Sequence, residues 1–375
     1  MAKRNLSAGY RQRKDGKYES RFTINGKRYS VYADTLRECK EKDAELREKI
    51  KNGLYVNNRN ITLNQYYEEW KVTRQGTIKG NTALNIECRY KNHIRPAMGH
   101  RKVADIEKRE IVQLQKDLAQ KQKASTVNIT IVQLKGIFNS AVADGIIVRN
   151  PAAGIKPLKT DSKAASETYH RALTEEEQKI FMQYVKEEWL YELVALLLCT
   201  GMRLGEATAL TWNDIDYINN VIHITKTISR TAAGEYTTGT PKSKTSIRDI
   251  PLNDTIKGVL KSQRDKLDYI HGNIVNLSRT VFENTYGGMV YNASVNKAIT
   301  DTLKRIKKET GKDIEHFSAH ALRDTFATRY IEQGGSPQVL KTILGHSSLS
   351  MTMDLYSHVL PNTKQEEMNS INIAL

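Results

Sequence analysis

Between residues 318 and 356 the chain sets two histidines, an arginine and a tyrosine in a pattern that can do chemistry: Ser318-Ala319-His320-Ala321-Leu322-Arg323, then Leu344-Gly345-His346, then Tyr356. His320 and Arg323 stand three apart in a segment with helical character, which puts both side chains on one face. Ser336-Pro337 reads as the start of a second helix, with serine as cap and proline at the first position, and Gly345 as its end. His346 then falls on a turn, after which Ser347 or Ser348 is placed to cap the helix carrying Tyr356. A phenol near a guanidinium and two imidazoles suits attack on a phosphodiester, because the phenol must lose a proton while the phosphate needs its charge neutralised.

Two distant stretches extend this inventory. In Cys199-Thr200-Gly201-Met202-Arg203-Leu204-Gly205-Glu206 a second arginine follows a glycine break and opens an amphipathic helix. Two arginines grip both non-bridging oxygens of a phosphate better than one. In Pro241-Lys242-Ser243-Lys244-Thr245-Ser246-Ile247-Arg248-Asp249-Ile250-Pro251 a lysine lies in a turn between strand-like runs, where it can reach a leaving oxygen; Lys242 and Lys244 both fit.

The elements that must position these groups belong to a chain of 375 residues, long enough for two or three domains. Lysine and arginine outnumber aspartate and glutamate by 58 to 42, a net charge of +16, which points to a polyanionic partner rather than to a merely soluble basic protein. Cys39, Cys88 and Cys199 are odd in number and match neither a disulfide framework nor a zinc site, as suits a reducing cytoplasm. No apolar run is long enough to span a bilayer, and Met1-Ala2-Lys3-Arg4-Asn5 leads into polar sequence, unlike a signal peptide.

The expected fold class is α+β, mainly α with small β-sheets, in three domains at 1–55, 61–157 and 171–375. In the first, Ser20 to Ile24 and Lys27 to Tyr32 alternate about Asn25-Gly26, a hairpin signal, and the charged helix Thr35 to Lys51 follows with Leu36, Ala44, Leu46 and Ile50 as apolar positions. Up to residue 30, Lys3, Arg4, Arg11, Arg13, Lys14, Lys17, Arg21, Lys27 and Arg28 face only Asp15 and Glu19. A polar linker, Asn57 to Asn60, precedes an all-helical segment. Thr62-Leu63-Asn64-Gln65 is a capping box opening a helix with Tyr66 and Trp70 on one stripe, and helices are predicted from Asn81 to Ile94, Glu107 to Gln120 and Thr126 to Asp144. Lys156 to His170 reads as an interdomain linker that would let two domains close round a duplex. Leu173 then precedes a capping box at Thr174 to Glu177, Trp189 to Cys199 is an apolar core helix, and strands are expected at Val221 to Thr227 and Ile247 to Leu252 about an excursion from Ala232 to Thr240. Met368, Ile371 and Leu375 make a short apolar stripe at the C-terminal end, suited to docking on a neighbouring subunit or on its own domain.

These motifs together resemble the tyrosine recombinases, or phage-type integrases. The resemblance rests on Thr-Gly-x-Arg-x-x-Glu at 200 to 206, Lys-Thr at 244 and 245, His-x-x-Arg at 320 to 323, Leu-Gly-His at 344 to 346 and Tyr356, in the family's order and spacing from about Thr62 to Tyr356. Asp324 departs from it, standing where many members carry a second histidine, outside the catalytic set. The family pattern favours Lys244 over Lys242, because its lysine precedes Thr or Ser and stands four residues before a basic position, here Arg248.

The resemblance implies an α+β catalytic domain behind a helical core-binding domain and an arm-type DNA-binding domain, and a reaction without cofactor, metal or ATP. Tyr356 would attack the scissile phosphate to give a 3'-phosphotyrosyl bond and a free 5'-hydroxyl; Arg203 and Arg323 would hold the non-bridging oxygens, with His346 donating a further hydrogen bond. His320 would accept the tyrosine proton, Lys244 would protonate the leaving 5'-oxygen, and Glu206 would orient Arg203. Resealing by a partner strand, twice, would pass through a Holliday junction and integrate or excise a phage or mobile element. Its implied partners are double-stranded attachment sites, three further copies of the chain in a tetramer on DNA joined through the C-terminal tail, and an excision factor or host DNA-bending protein, all in the bacterial cytoplasm at the nucleoid, with no membrane. Arg11, Arg13, Lys14, Lys17, Arg21, Lys27 and Arg28 in the first domain, and Lys79, Arg89, Lys91, Lys121, Lys123 and Lys135 in the second, are candidate DNA contacts, though any one of them alone reads equally as a solvated side chain.

Three other functions compete. A type IB topoisomerase shares the chemistry but works as a monomer without a partner site, which the basic N-terminal sheet and the C-terminal tail argue against. A silent DNA-binding regulator would not need the full set of arginines, lysine, histidines and tyrosine. A metal-dependent nuclease built on Asp214 and Asp216 lacks a third carboxylate.

Overall fold

The structure is a computed structural model, and it describes residues 9–24, 26–51, 60–159, 171–231, 233–241, 244–272, 279–284 and 286–359. The chain divides into two compact units, 1–160 and 161–375.

Within the first unit, β1 (Tyr10–Gln12), β2 (Tyr18–Ile24) and β3 (Lys27–Ala33) form an antiparallel sheet in that order, backed by α1 (Leu36–Lys51). The pairing of Ile24 with Lys27 leaves a two-residue connection, and Gly26 takes φ +77°, the left-handed conformation such a hairpin requires. The buried positions of α1 differ from the expected aliphatic ones: Cys39 and Asp43 face the sheet. Asp43 is satisfied there by the Tyr10 hydroxyl at 2.7 Å, the Ser20 hydroxyl at 2.9 Å and Arg47 Nε at 3.0 Å. These bonds and the Arg47 charge outweigh the burial that would raise its pKa, so its carboxyl titrates below the ordinary range.

The helical segment holds α2 (Leu63–Thr73), α3 (Gly80–Arg89), α4 (Arg95–Met98), α5 (Lys108–Ala119) and α6 (Ala124–Ala143). Thr62 and Gln65 make the expected capping box. Tyr66 and Trp70 are buried, tied to α6 through Asp144 at 2.6 Å and Ser140 at 3.0 Å. Tyr90–Ile94 continues α3 as a π-helical turn. Pro96 supplies the reason, since it has no N–H to give and its ring crowds the carbonyl four residues back. The first residues of the expected linker belong to this bundle: Gln115 bonds the Lys156 carbonyl, Asn128 bonds both backbone groups of Leu158, and Leu158 packs on the core. Residues 160–170 of that linker, 57–59 of the earlier one, and the C-terminal stripe with Met368, Ile371 and Leu375 lie outside the described residues.

The second unit starts at the capping box of Thr174 and Glu177, which opens α7 (Glu175–Val185). The apolar α8 (Tyr191–Thr200) runs through its core, and α9 (Leu204–Ala207) follows. A small antiparallel sheet joins β4 (Ile215–Asp216), β5 (Val221–Ile224) and β8 (Arg248–Pro251). Ile215, Ile222 and Ile250 stand side by side across its strands and are all buried. The expected strand from 221 to 227 is broken: β6 (Thr227–Arg230) pairs instead with β7 (Tyr236–Gly239), which forms inside the excursion. Alternation is the same in one strand or two, so the break at residues 225 and 226 left no periodic signal. Then come α10 (Asp254–His271), α11 (Asn292–Thr310), α12 (Ala319–Glu332), α13 (Pro337–Leu344) and α14 (Ser350–Val359). Ser336 stands at the N-cap position of α13 but makes no side-chain capping hydrogen bond; Pro337 lies in the first turn, and Gly345 ends the helix at φ +66°. Neither Ser347 nor Ser348 caps α14; the Leu349 carbonyl receives the first helical N–H groups, from Thr352 and Met353. Among the described residues no helix is long and apolar enough to cross a membrane.

Candidate active site

Arg203 immediately precedes the short α9, whose third residue, Glu206, is buried. Glu206 Oε2 accepts the Arg203 backbone N–H at 3.0 Å, and Oε1 accepts Nη1 of the same residue at 2.9 Å. The carboxylate therefore fixes both ends of Arg203, whose side chain stays 38% exposed and able to meet a ligand. Glu206 also takes Nη2 of Arg248 at 2.9 Å. Burial alone would raise the Glu206 pKa, but the hydrogen bond and charge of Arg248, and then those of Arg203, hold it below the usual carboxylate range.

Arg323 lies on α12 and is 3% exposed. Its Nη1 donates to the Gly201 carbonyl at 2.8 Å and its Nη2 to the Leu344 carbonyl at 2.6 Å. One guanidinium thus joins the end of α8, two residues before Arg203, to the end of α13, two residues before His346. Burial first, and then repulsion from Arg203, pull its pKa down to about 9; Glu206 opposes this and Arg248 adds to it. Two guanidiniums bonded to the buried Glu206 carboxylate, with that of Arg323 interacting electrostatically with both, concentrate positive charge here, suited to an anion. Gly201 must be glycine here: at φ +62° it lets the chain pass so close to Phe326 and Leu344 that a Cβ would stand 2.3 and 2.8 Å from their side chains.

His346 follows Gly345 on the turn between α13 and α14. Its Nδ1 meets the hydroxyl of Thr352 at 2.9 Å, and Thr352 is fully buried on α14, one turn before Tyr356. The imidazole and the nucleophile candidate are therefore mounted on one rigid piece. Tyr356 is half-buried in a cluster with Phe326, Tyr330, Leu340 and Leu355, and its hydroxyl donates to the Gly335 carbonyl on the turn between α12 and α13. Burial, and then the nearby Tyr330, raise its pKa, so it needs a proton acceptor before it can attack.

The lysine turn is a single 3-10 turn, Lys244–Ser246, before β8. Its backbone packs against the histidine turn: a Cβ on Gly345 would stand 3.1 Å from the Thr245 carbonyl oxygen. Lys242 lies outside the described residues, and of the Lys244 side chain nothing is described, so the preference for Lys244 rests on the sequence pattern.

His320 departs from the expected shared face. Its side chain is 62% exposed at the start of α12, with Nε2 at 4.0 Å from Asp324, whereas Arg323 points inward. Three residues on a helix differ by about 60°, and the edge of the buried face runs between them. Asp324 itself is buried.

The basic residues of the first unit divide by their partners. Arg11 and Arg21 both bond Glu19, Arg13 pairs with Asp15 and lies 5.2 Å over the Tyr32 ring, and Lys17 pairs with Asp34 at 3.6 Å. Lys14 and Arg28 are exposed; of the Lys27 side chain nothing is described. Arg89 bonds Gln133 at 3.0 Å within the bundle and Lys91 pairs with Glu87, which gives both a structural place, while Lys79, Lys121, Lys123 and Lys135 are exposed. Asp214 is taken up by Thr211 and Lys226, and Asp216 by the turn at Asn219, so neither is disposed as a nuclease carboxylate. Among the described residues no three His, Cys, Asp or Glu side chains are grouped to hold a metal ion.

Two residues at the site escaped the sequence reading. Arg248 was visible there only as a basic position after the lysine; its place on the inward phase of β8, alternating with buried Ile250, was the available sign. Thr352 was signalled only by standing four residues before Tyr356, on the same helix face.

Residues 171–363 match the model of the phage integrase family, and residues 63–157 that of the phage integrase central domain. The chain is 29% identical to a tyrosine recombinase XerC-like protein of Caldanaerobacter subterraneus, over 96% of this chain and 97% of that protein. It is 27% identical to the transposase from transposon Tn916 of Enterococcus faecalis, over 98% of this chain and 95% of the relative. The structure of the Tn1549 transposon integrase in complex with a circular intermediate DNA superposes with a TM-score of 0.69 at 22% identity, over 83% of this chain and 99% of that one.

Proposed function

This chain belongs to the phage integrase family and is a site-specific tyrosine recombinase of mobile elements; from that premise we propose that Tyr356 cleaves DNA by forming a 3'-phosphotyrosyl bond inside the cationic pocket of Arg203 and Arg323. The observation that carries this is the convergence of four separately encoded segments on one buried network. Arg323 ties the Arg203 junction to the His346 turn, and Thr352 ties that turn to the tyrosine helix. Arg203 and Arg323 neutralise the phosphate, and His346 donates to it. His320, exposed at the mouth of α12, accepts the proton, and Lys244 supplies one to the leaving 5'-oxygen. Tyr356 leaves the Gly335 carbonyl to attack, and the resulting ester keeps the energy of the broken bond for rejoining.

The partner is double-stranded DNA. The basic sheet of residues 10–33 and the helical bundle of residues 61–158 are taken as two DNA-binding domains, for arm-type and core sites, ahead of a catalytic domain from residue 171. A tetramer resolving a Holliday junction completes two rounds of exchange, with the tail after residue 359 as the link between subunits and an excision or bending factor setting direction.

A nicked core duplex tests the assignment. Tyr356→Phe removes one oxygen while the basic surfaces remain, so it should shift the duplex with nearly wild-type salt dependence and yield no denaturant-resistant adduct. Wild-type cleavage should continue in the presence of chelator, since arginines and lysine supply the charge that metals supply elsewhere. Tyr330 packs in the same cluster and is the apt control. An adduct that persists in Tyr356→Phe and disappears in Tyr330→Phe would overturn the nucleophile.

A further inference from the structure

We infer that Arg248, which the reaction scheme leaves without a role, is a positioning residue that sets the spacing of the three segments carrying Arg203, Lys244 and His346. Its guanidinium spends its donors in three directions. Nη2 reaches Glu206 at 2.9 Å, Nη1 reaches the Ser246 carbonyl at 3.1 Å, and Nε reaches the Ile343 carbonyl. The first of these is the anchor of Arg203, the second closes the turn of Lys244, and the third precedes His346 by three residues. Arg248 and Glu206 are 3% and 2% exposed in their side chains, so water does not substitute for either.

The chemistry of the group explains the choice of residue. A guanidinium offers five donors in a planar fork, and lysine offers a point charge that can serve the carboxylate but not two carbonyls at fixed angles. Arg248 also shares Glu206 with Arg203. Without it the buried carboxylate would have Arg203 as its remaining guanidinium partner, drawing that residue inward from the phosphate. The same guanidinium closes the seam with the histidine turn, where a Cβ on Gly345 would stand 3.2 Å from both Cδ and Nη1 of Arg248.

The inference rests on the reading of Lys244 as the leaving-group acid, and its test separates the two. Full-length protein is assayed for single-turnover adduct formation on a nicked duplex spanning the joined ends of the circularised element. One substrate has an ordinary phosphate and the other a 5'-bridging phosphorothiolate, whose thiolate leaves without a proton. Arg248→Met should slow the ordinary substrate about a hundredfold, the effect of an ångström of misplacement, and the phosphorothiolate only about tenfold. Arg248→Lys keeps the charge opposite Glu206 and loses the carbonyl bonds, so it should shift the ratio of the two rates in the same direction; it carries the test if Arg248→Met fails to bind the duplex. A merely structural role slows both substrates by one factor. Equal slowing in both variants, or none, overturns the inference while rescue of Lys244→Ala by the phosphorothiolate leaves the reading of Lys244 standing. Failure of that rescue removes the reading and the inference with it.

Discussion

Glycine decides more of this site than its titratable residues suggest. Gly345 sits at φ +66°, and a side chain there would press on the Thr245 carbonyl at 3.1 Å and on Arg248 at 3.2 Å. Both objections apply to Gly345→Ala: the left-handed backbone disfavours any Cβ, and the space is taken by groups that are themselves held. The substitution should cost about 1–2 kcal/mol in unfolding free energy. Chemical denaturation measures that loss. Adduct formation should fall further than stability does, because the histidine and lysine turns are pushed apart. A variant that is destabilised by this amount yet cleaves at the wild-type rate would show that the close approach serves packing alone.

At the scale of the element, the N-terminal sheet shows how an acidic residue can serve a basic face. Glu19 is 1% exposed between Arg11 and Arg21, with an oxygen at 2.5 Å from Nε of the first and another at 2.6 Å from Nε of the second. Each arginine is held by Nε, and the two side chains stay 58% and 61% exposed. Burial would raise the Glu19 pKa, but the bonds to Arg21, Arg11 and Tyr32 prevail and lower it from 4.5 to about 2. A carboxylate with a folded pKa below its unfolded one stabilises the fold above the unfolded value, and the contribution is lost as the pH falls through the folded one. Wild-type protein should therefore protect the β2 amides from hydrogen exchange better than Glu19→Gln above pH 4.5, with the advantage shrinking towards pH 2. A difference in protection that ignores pH across that window would show that the pairing does not stabilise the sheet.

For the whole molecule, the excess positive charge lies in residues 1–160, with 33 lysines and arginines against 16 carboxylates, while residues 161–375 hold 25 against 26; affinity for DNA should therefore be steeply salt-dependent through the first unit, while the proposed chemistry stays within residues 203–356. Removing residues 1–55 should then leave cleavage of a nicked core duplex close to wild type. Recombination between complete attachment sites should fall severalfold or more as the second DNA contact is lost. A truncated protein that recombines complete sites at full rate would refute the reading of the sheet as an arm-site domain.

How much of this was legible beforehand follows from which forces are local. Capping boxes at Thr62 and Thr174, the glycine end of α13 and the hairpin about Gly26 were readable because each is decided by a few neighbouring residues competing for the same backbone groups. The order and spacing of Arg203, Lys244, His320, Arg323, His346 and Tyr356 were readable as a family pattern. The rest depends on contacts between residues far apart in the chain. No window of sequence could show that β6 and β7 form their own hairpin, that α1 buries Cys39 and Asp43 rather than its leucines, or that Leu349 rather than Ser347 or Ser348 stands immediately before the tyrosine helix and accepts its first N–H groups. Sequence by itself determined which side chains could do the chemistry and which local turns would present them. Tertiary structure alone decided that His320 stays at the surface while Arg323 is buried three residues away, and that Arg248 and Glu206 share a dry ion pair, because desolvation and hydrogen-bond satisfaction are set by what packs around a group rather than by what adjoins it in the chain.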